Sequence, residues 1–441
     1  HVRSRRQRQM CIRDSYKPTS TYGDRCQSDK NIPAAWKGIA NAPSSFACQS
    51  PFRIVAKAMP KSEPKTLIDS PLESLNLETC KIIDPGNDRD SMFKGFPGTQ
   101  ARQAFFDSRR HPSPNTVFQI VPIEAPDAPA GSKTPIKDYG HFFKWLKDYL
   151  SYISDYGSSI EFRVPSNYIK FSKPLQPYGV THMNRDSAFA RDALAEVDGQ
   201  IDFKGANVIL FVAPAGTSPS IFGQQRFEAL STQEGTVNNV GSAYPKTILS
   251  GRSFDHSVAP IWWLHELYHG GLNLGDGPGD EKWQDGPDRG MGKWGLMSTG
   301  ETEFLTWHKW LLGFTDDKQV SCKDPTKLST TWIAPSSYKT QKIKLLVVPL
   351  SKNKAIVVES LRAAGLNFRL GPKEQGALAY VVDATDRRGH YGFTVLRTDA
   401  KARAAGTSKN YQKTSPLYKG ESVTYEGVKI TNVEWGEFGD V

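Results

Sequence analysis

The chain has 441 residues, of which 38% are hydrophobic and 23% are charged, and its formal net charge is +10. This length and composition are enough to bury a sizeable core in two or three domains. No run of residues approaches the roughly 18 apolar residues of a membrane span, and the lysines are dispersed without a basic stripe or a nucleic-acid-binding motif, so neither a membrane span nor a nucleic-acid partner is expected.

Two segments precede the first predicted strand. Residues 1–15 contain five Arg, do not begin with Met and look like translated sequencing-adapter read-through, so we set them apart as a non-native segment. No signal peptide is visible. Residues 16–112 are rich in Pro, Ser and Lys and have few periodic apolar runs. They predict an N-terminal extension with patchy order, either a propeptide or a structural lead-in.

Residues 113–325 alternate between strand and helix patterns. The predicted elements are a buried strand over Val117–Ile123, an amphipathic helix over 138–155, a strand over Ile160–Val164, a helix from an Asp186 cap to Val197, and a buried strand over Val208–Ala213. This order predicts an α/β domain whose sheet binds an extended peptide along an edge strand.

A candidate metal site follows in the same domain. Residues 265–269 read His-Glu-Leu-Tyr-His, with Pro260 where a helix begins and two glycines directly after the second histidine. His265 and His269 are four residues apart and therefore share one helical face, which allows both imidazoles to bind one Zn²⁺. Glu266 is placed to act as the general base that takes a proton from water at the metal.

A third ligand has to come from beyond the helix. We predict Asp276, because a carboxylate oxygen suits a catalytic zinc site that keeps one position open for water. Glu301 or Glu303 is the alternative, if the ligand comes from a second helix. The intervening acids are expected in a solvated loop, and a calcium site built from them has no EF-hand spacing to support it: Asp280, Glu281, Asp285 and Asp288.

Three motifs in this region resemble one family. His265 to Asp276 looks like the HExxHxxGxxD zinc signature of immune-inhibitor-A-type bacterial metallopeptidases, which are similar to the metzincins. Trp294 to Gly300 looks like the WxLMxxG Met-turn of that family, and Glu303 to Phe314 resembles the helix that follows it. The resemblance implies a zincin-like catalytic domain, zinc ligands His265, His269 and Asp276, and Met297 as an apolar floor beneath the metal. One departure is that Asp276 lies seven residues after His269, whereas the family pattern has six.

Residues 326–441 have a different character. Short strands are predicted over Ile343–Leu350, Ala355–Ser360, Ala377–Asp383 and Ser422–Ile430, with turn residues between them. Their spacing predicts an all-β sandwich domain. The segment Ala355–Arg362 also resembles the part of immune-inhibitor-A-like proteins that follows the catalytic domain.

The cysteines predict crosslinks rather than a thiolate zinc site. Apart from Cys11 in the first segment, four cysteines remain and no CxxC pair occurs. We predict the disulfides Cys26–Cys48 and Cys80–Cys322, the second of which ties the extension to the end of the catalytic domain. A Cys80 thiolate capping the zinc is the alternative. Disulfides favour a secreted or cell-surface location.

The remaining histidines and the tryptophans are interpreted as structural. His308 is expected to be packed or exposed rather than a ligand, and His256 to lie in a loop. The tryptophans near the motif are expected in the core: Trp262, Trp263, Trp294, Trp307 and Trp310.

Together these patterns predict a secreted zinc metalloendopeptidase that acts on protein or peptide substrates. They leave its oligomeric state and specificity open. Two alternatives remain: a zincin-like binding or adhesion protein with a structural or inactive metal site, and a gluzincin whose third ligand is Glu301 or Glu303.

Overall fold

The computed structural model describes residues 56–69, 74–85, 94–98, 115–180, 187–218, 220–243, 264–265, 268, 274, 291, 294–298, 302–386, 392–398 and 416–441. They form a mixed α/β lobe and a second domain with several sheets in a sandwich-like arrangement. Within these ranges, no helix combines the length and the apolar character that crossing a bilayer requires.

The described parts of the N-terminal extension lie against the second domain. Their regular elements are a 3-10 helix over Leu77–Cys80 and two short parallel strands, β1 (Ile83–Asp84) and β2 (Phe96–Pro97). Further upstream, Ala58 forms a parallel bridge with Lys339, and the Asp69 N–H donates to the Thr330 carbonyl at 3.2 Å. The extension therefore follows the surface of the second domain through backbone hydrogen bonds.

A disulfide joins this extension to the body of the protein. Cys80 and Cys322 are both buried and bonded to each other, and the Leu75 N–H donates to the Cys322 carbonyl at 2.9 Å. The predicted Cys80–Cys322 pairing is confirmed. The alternative of a metal-capping Cys80 thiolate is wrong, because its sulfur is already bonded. Cys26 and Cys48 lie outside the described residues.

The α/β lobe is built on a six-stranded sheet. Its elements are β3 (Asn115–Glu124), α1 (Pro135–Ile153), β4 (Ser159–Arg163), β5 (Ile169–Lys170), a 3-10 turn (Gln176–Tyr178), α2 (Ala188–Val197), β6 (Val208–Val212), β7 (Gln225–Phe227), β8 (Leu230–Thr232), β9 (Gly235–Val237) and β10 (Asn239–Ser242). The strand order is β4-β3-β6-β10-β7, with β5 beside the far end of β3. Every pairing in this sheet is parallel except β7 with β10, and β8 and β9 form a separate antiparallel hairpin.

The sheet divides the lobe into two apolar cores, as the two-residue period of a strand requires. All of β6 is buried: Val208, Leu210 and Val212 contact the core that contains α1, while Ile209 and Phe211 contact the core that contains α2. Such a continuous apolar run is typical of a parallel strand covered on both faces. The predicted strands and helices of this lobe are confirmed with shifted ends; for example, α1 begins at Pro135, whose missing N–H is tolerated in the first turn.

The part of the chain that we call the second domain has a five-stranded sheet at its centre. It includes Thr306–Leu311 and Val320–Cys322, which the sequence prediction assigns to residues 113–325; the boundary between the domains stays a prediction. Its elements are α3 (Thr306–Leu311), β11 (Val320–Cys322), β12 (Leu345–Ser351), β13 (Lys354–Leu361), β14 (Gly376–Asp383), β15 (Phe393–Val395), β16 (Ser422–Tyr425), β17 (Val428–Thr431), β18 (Trp435–Gly436), β19 (Gly439–Asp440) and 3-10 turns over Asp317–Gln319, Leu366–Arg369 and Pro372–Glu374. The sheet order is β11 to β15 in sequence, parallel between β11 and β12 and antiparallel elsewhere.

Both faces of this second sheet are covered. One face packs on α3 and the extension through Trp307, Trp310 and Phe96, and the other packs on the hairpin of β16 and β17. The single strand predicted over Ser422–Ile430 is wrong: it is a hairpin whose two-residue turn, Glu426 and Gly427, has φ values of 45° and 82°. Two consecutive positive φ angles are typical of a type I′ hairpin turn.

Candidate metal centre

His265 lies in a helical, buried position. Leu264, His265 and Tyr268 have helical backbone conformation, as the sequence predicts, and His265 is only 3% exposed. Leu264 and Tyr268 belong to the apolar core that also contains α1, so this helix lies on the α1 side of the first sheet. The ring of Tyr268 packs edge-on against Phe304 at a centroid distance of 4.8 Å.

A backbone carbonyl orients the His265 ring. Its Nδ1 lies 2.8 Å from the Leu296 carbonyl oxygen. A carbonyl can only accept, so Nδ1 donates this hydrogen bond. Metal-binding histidines in proteins usually have such a second hydrogen bond, which sets the ring orientation. The hydrogen bond to Leu296 therefore fits a histidine that binds zinc.

Leu296 is part of the segment that resembles a Met-turn. The Trp294 N–H donates to the Met291 carbonyl and the Ser298 N–H to the Gly295 carbonyl, both at 3.1 Å. Gly295 has φ of 92°, in the left-handed region, and a Cβ there would be 2.9 Å from the Leu305 side chain. Glycine at this position therefore allows the turn to close against the residues that precede α3.

Met297 is buried in the same apolar core as the helix of His265. It is 1% exposed, and its cluster includes Leu264, Tyr268 and Leu296. This placement agrees with an apolar floor beneath a metal and equally with ordinary core packing. The role of Met297 beneath a metal stays a prediction.

Glu303 holds this turn from the other side. Its carbonyl accepts a hydrogen bond from the Leu296 N–H at 3.0 Å, and its carboxylate Oε1 lies 2.5 Å from the Lys309 Nζ. Both side chains of this ion pair are at most 2% exposed, and Lys309 Nζ also donates to the Ser336 carbonyl at 3.1 Å. Lys309 thus engages Oε1, while Oε2 of Glu303 is buried with no hydrogen-bond partner among the described residues. Glu303 as an alternative third ligand stays a prediction.

Burial also shifts the protonation of groups near this pair. Burial, together with the nearby Glu303 carboxylate, raises the pKa of Tyr149 well above its ordinary value. Burial lowers the pKa of Lys344 to about 8, although its ammonium forms an ion pair with Asp155. The Tyr149 phenol therefore stays neutral across the physiological range.

The other predicted site residues lie outside the described part of the chain. These are Glu266, His269, Asp276, the further acids Asp280, Glu281, Asp285, Asp288 and Glu301, and His256. Among the residues that the structure describes, no three His, Cys, Asp or Glu side chains form a group that could hold a metal ion. The ligand set of His265, His269 and Asp276 therefore stays a prediction.

His308 and the described tryptophans are packed, as predicted. His308 is 1% exposed, and its ring packs edge-on against Phe393 at 5.1 Å. Trp294, Trp307 and Trp310 are fully buried. The helix expected over Glu303–Phe314 is shorter and spans Thr306–Leu311. Leu305 is its N-cap and has an extended ψ of 143°, so the helical conformation begins only at Thr306.

Two residues of the site region were not identified from the sequence. Asn367, in the second domain, accepts a hydrogen bond from the Glu303 N–H at 3.0 Å. Lys309 belongs to the segment Glu303 to Phe314 that resembles the family's helix, yet nothing in that pattern indicated a buried ion pair. A lysine between the two tryptophans of this helix is the signal that could have found it, since a buried cation needs a partner.

Comparison with known proteins adds little. No family model matches the chain, and no curated protein matches it. One solved structure found to be similar is the crystal structure of catalytically inactive OgpA from Akkermansia muciniphila in complex with an O-glycopeptide (glycodrosocin) substrate. The identity is 11% over 73% of this chain and 91% of that chain, with a TM-score of 0.23, a level of similarity that supports no inference about this protein.

Proposed function

We propose that this protein is a secreted zinc-dependent endopeptidase of the HExxH type, with a zincin-like catalytic domain. The observation that carries the proposal is the His265 ring: it is buried and helical, and its Nδ1 is hydrogen-bonded to the Leu296 carbonyl, as one ring nitrogen of a metal-binding histidine usually is. That carbonyl belongs to the segment that resembles a Met-turn. The first histidine of the HExxH pentapeptide thus contacts that segment, as a metal centre built from both would require.

The roles of the residues follow from their chemistry. His265 and His269 would hold zinc through imidazole nitrogens, and Asp276 would complete the set with a carboxylate oxygen. When bound, zinc supplies a Lewis acid that makes water more acidic and polarises the scissile carbonyl. Glu266 accepts the proton of the attacking water and passes it to the leaving amine. Met297 and Leu296 keep the turn beneath the site apolar and closely packed.

The proposed substrate is a protein or peptide that adds along an edge strand of the sheet. A peptide added along such an edge is held mainly by backbone hydrogen bonds, with pockets for alternate side chains. The Cys80–Cys322 disulfide supports an extracellular location.

Zinc content and peptide cleavage of matched variants test the proposal. Glu266→Gln should abolish cleavage of a peptide library and retain one zinc per chain, because Glu266 moves a proton and is not a ligand. His265→Ala should lose the zinc. His308→Gln, a change at another buried histidine, is the control and should retain both zinc and cleavage. Retained cleavage in Glu266→Gln would refute the assignment.

A zincin-like binding or adhesion protein is the second candidate. The observation that favours it is the extra residue between His269 and Asp276, which displaces the predicted third ligand from the family spacing. In that case the wild-type protein would bind zinc through His265 but cleave no peptide. The gluzincin alternative keeps Glu301 or Glu303 as the third ligand, and Asp276→Ala would retain full zinc occupancy if it held.

A further inference from the structure

The second domain reaches the His265 ring through a chain of hydrogen bonds. Asn367 Oδ1 accepts from the Glu303 N–H at 3.0 Å, the Glu303 carbonyl accepts from the Leu296 N–H at 3.0 Å, and the Leu296 carbonyl lies 2.8 Å from His265 Nδ1. The amide and the carbonyl of Leu296 are thus both engaged. Its position relative to the ring depends on where Glu303 is held.

Asn367 is itself held rigidly. It is 2% exposed, and its Nδ2 donates to the Ser337 Oγ at 3.0 Å. A buried amide with both ends bonded has little freedom to rotate, because either end would lose its partner. The acceptor that fixes the Glu303 backbone is therefore part of the second domain's own hydrogen-bonding network.

The residues next to Asn367 fit closely against the same region. Leu366 is buried in the core of the first lobe together with Leu264, Tyr268 and Met297, although it belongs to the second domain. Gly365 has φ of 56°, and a Cβ there would lie 2.5 Å from Glu303 Oε2. Residues 365–367 therefore form one segment that approaches Glu303 closely, enters the lobe core and hydrogen-bonds the backbone of the turn.

We infer that this 365–367 segment positions the metal-binding imidazole of His265, so that the second domain helps to set the orientation of a metal ligand. Asn367 acts as a positioning residue through Glu303 and Leu296, and it touches neither metal nor substrate. The inference rests on the proposed zinc-binding role of His265. It goes beyond that role in assigning the orientation of the ligand to a side chain outside the catalytic lobe.

The affinity of the full-length protein for zinc tests this inference. Asn367→Ala should raise the zinc dissociation constant by up to about 10-fold, the lower end of the effect of losing a direct partner of a metal ligand, because Asn367 acts through Glu303 and Leu296. The measurement is competition with a chromogenic chelator. The absorption spectrum of the cobalt-substituted protein should change as well, because it reports ligand geometry rather than stability.

Asn432→Ala is the matched control. Asn432 is also a 2% exposed asparagine of the second domain, and its Nδ2 donates to the Leu417 carbonyl and to Asp440 Oδ1. It should lower the melting temperature and leave the zinc affinity and the cobalt spectrum unchanged. Should Asn367→Ala not fold, Ser337→Ala removes only the partner of Asn367 Nδ2 and should weaken zinc binding by a smaller factor.

The possible outcomes separate this inference from the proposed function. If His265→Ala loses zinc while Asn367→Ala and Ser337→Ala bind it as tightly as the wild type, only the inference is overturned. Equal weakening by Asn367→Ala and Asn432→Ala also overturns it, because the effect would then be general destabilisation. If His265→Ala binds zinc as the wild type does, both fail.

Discussion

The Cys80–Cys322 disulfide makes a quantitative prediction about the extension. It closes a loop with a sequence separation of 242 residues. In the chain-entropy model, a crosslink of that span stabilises the folded state by about 5 kcal/mol at 25 °C, because it restricts the unfolded chain. We therefore expect Cys80→Ala/Cys322→Ala to lower the free energy of unfolding of the protein by about this amount, measured by guanidinium denaturation.

The two single variants supply the control. Each breaks the same crosslink, so Cys80→Ala and Cys322→Ala alone should each cost nearly as much as the double variant. Additive losses would mean that side-chain packing matters and the crosslink does not. A loss below about 2 kcal/mol in the double variant would refute the entropic reasoning, since it falls at the bottom of the usual range.

The same bond separates the two interpretations of the extension. After limited proteolysis between residues 99 and 114, a fragment containing Cys80 should stay attached to the body on a non-reducing gel and separate only with reductant and denaturant, since both cysteines are buried. Release without reductant would support a removable propeptide and contradict the structural lead-in.

Two further predictions concern charged contacts. Glu303→Gln should destabilise the fold by about 3–5 kcal/mol, because it leaves the buried Lys309 ammonium without its carboxylate. Adding Lys309→Met should recover part of this loss, as measured by urea denaturation. A double variant as unstable as the sum of the two single variants would contradict the pairing. Hydrogen bonds from the Thr66 hydroxyl and from the Lys65 and Thr66 amides lower the pKa of Glu434. Because the pKa of Glu434 is lowered in the folded state, its hydrogen bonds to Lys65 and Thr66 stabilise this contact fully above the ordinary Glu pKa of about 4.3. That stabilisation is lost as the pH falls through the folded pKa. Protection of the Thr66 amide from hydrogen exchange should therefore decline in that lower pH range. Glu434→Gln should remove that pH dependence, and an unchanged profile would refute it.

Local sequence pattern predicted the elements whose signal lies within one stretch of chain. The apolar run of β6, the amphipathic period of α1 and the helical position of His265 depend on nearest neighbours along a strand or helix. The hairpin of β16 and β17 was missed because the local pattern around its turn gives no clear signal. Its turn at Glu426 and Gly427 interrupts a pattern that otherwise resembles a single strand, and Glu is an uncommon residue at positive φ.

What the sequence by itself determined is a pattern that predicts metal chemistry: two histidines four residues apart, a glutamate beside the first, and a cysteine set that favours crosslinking. What only the tertiary structure decided is which distant groups hydrogen-bond around the described part of that pattern. The Glu303 amide and Asn367 are 64 residues apart, and the Cys322 backbone that receives Leu75 lies in another domain. Hydrogen bonds over such distances depend on how sheets and helices pack, and the apolar periodicity that reveals a buried face does not show which polar groups that face meets.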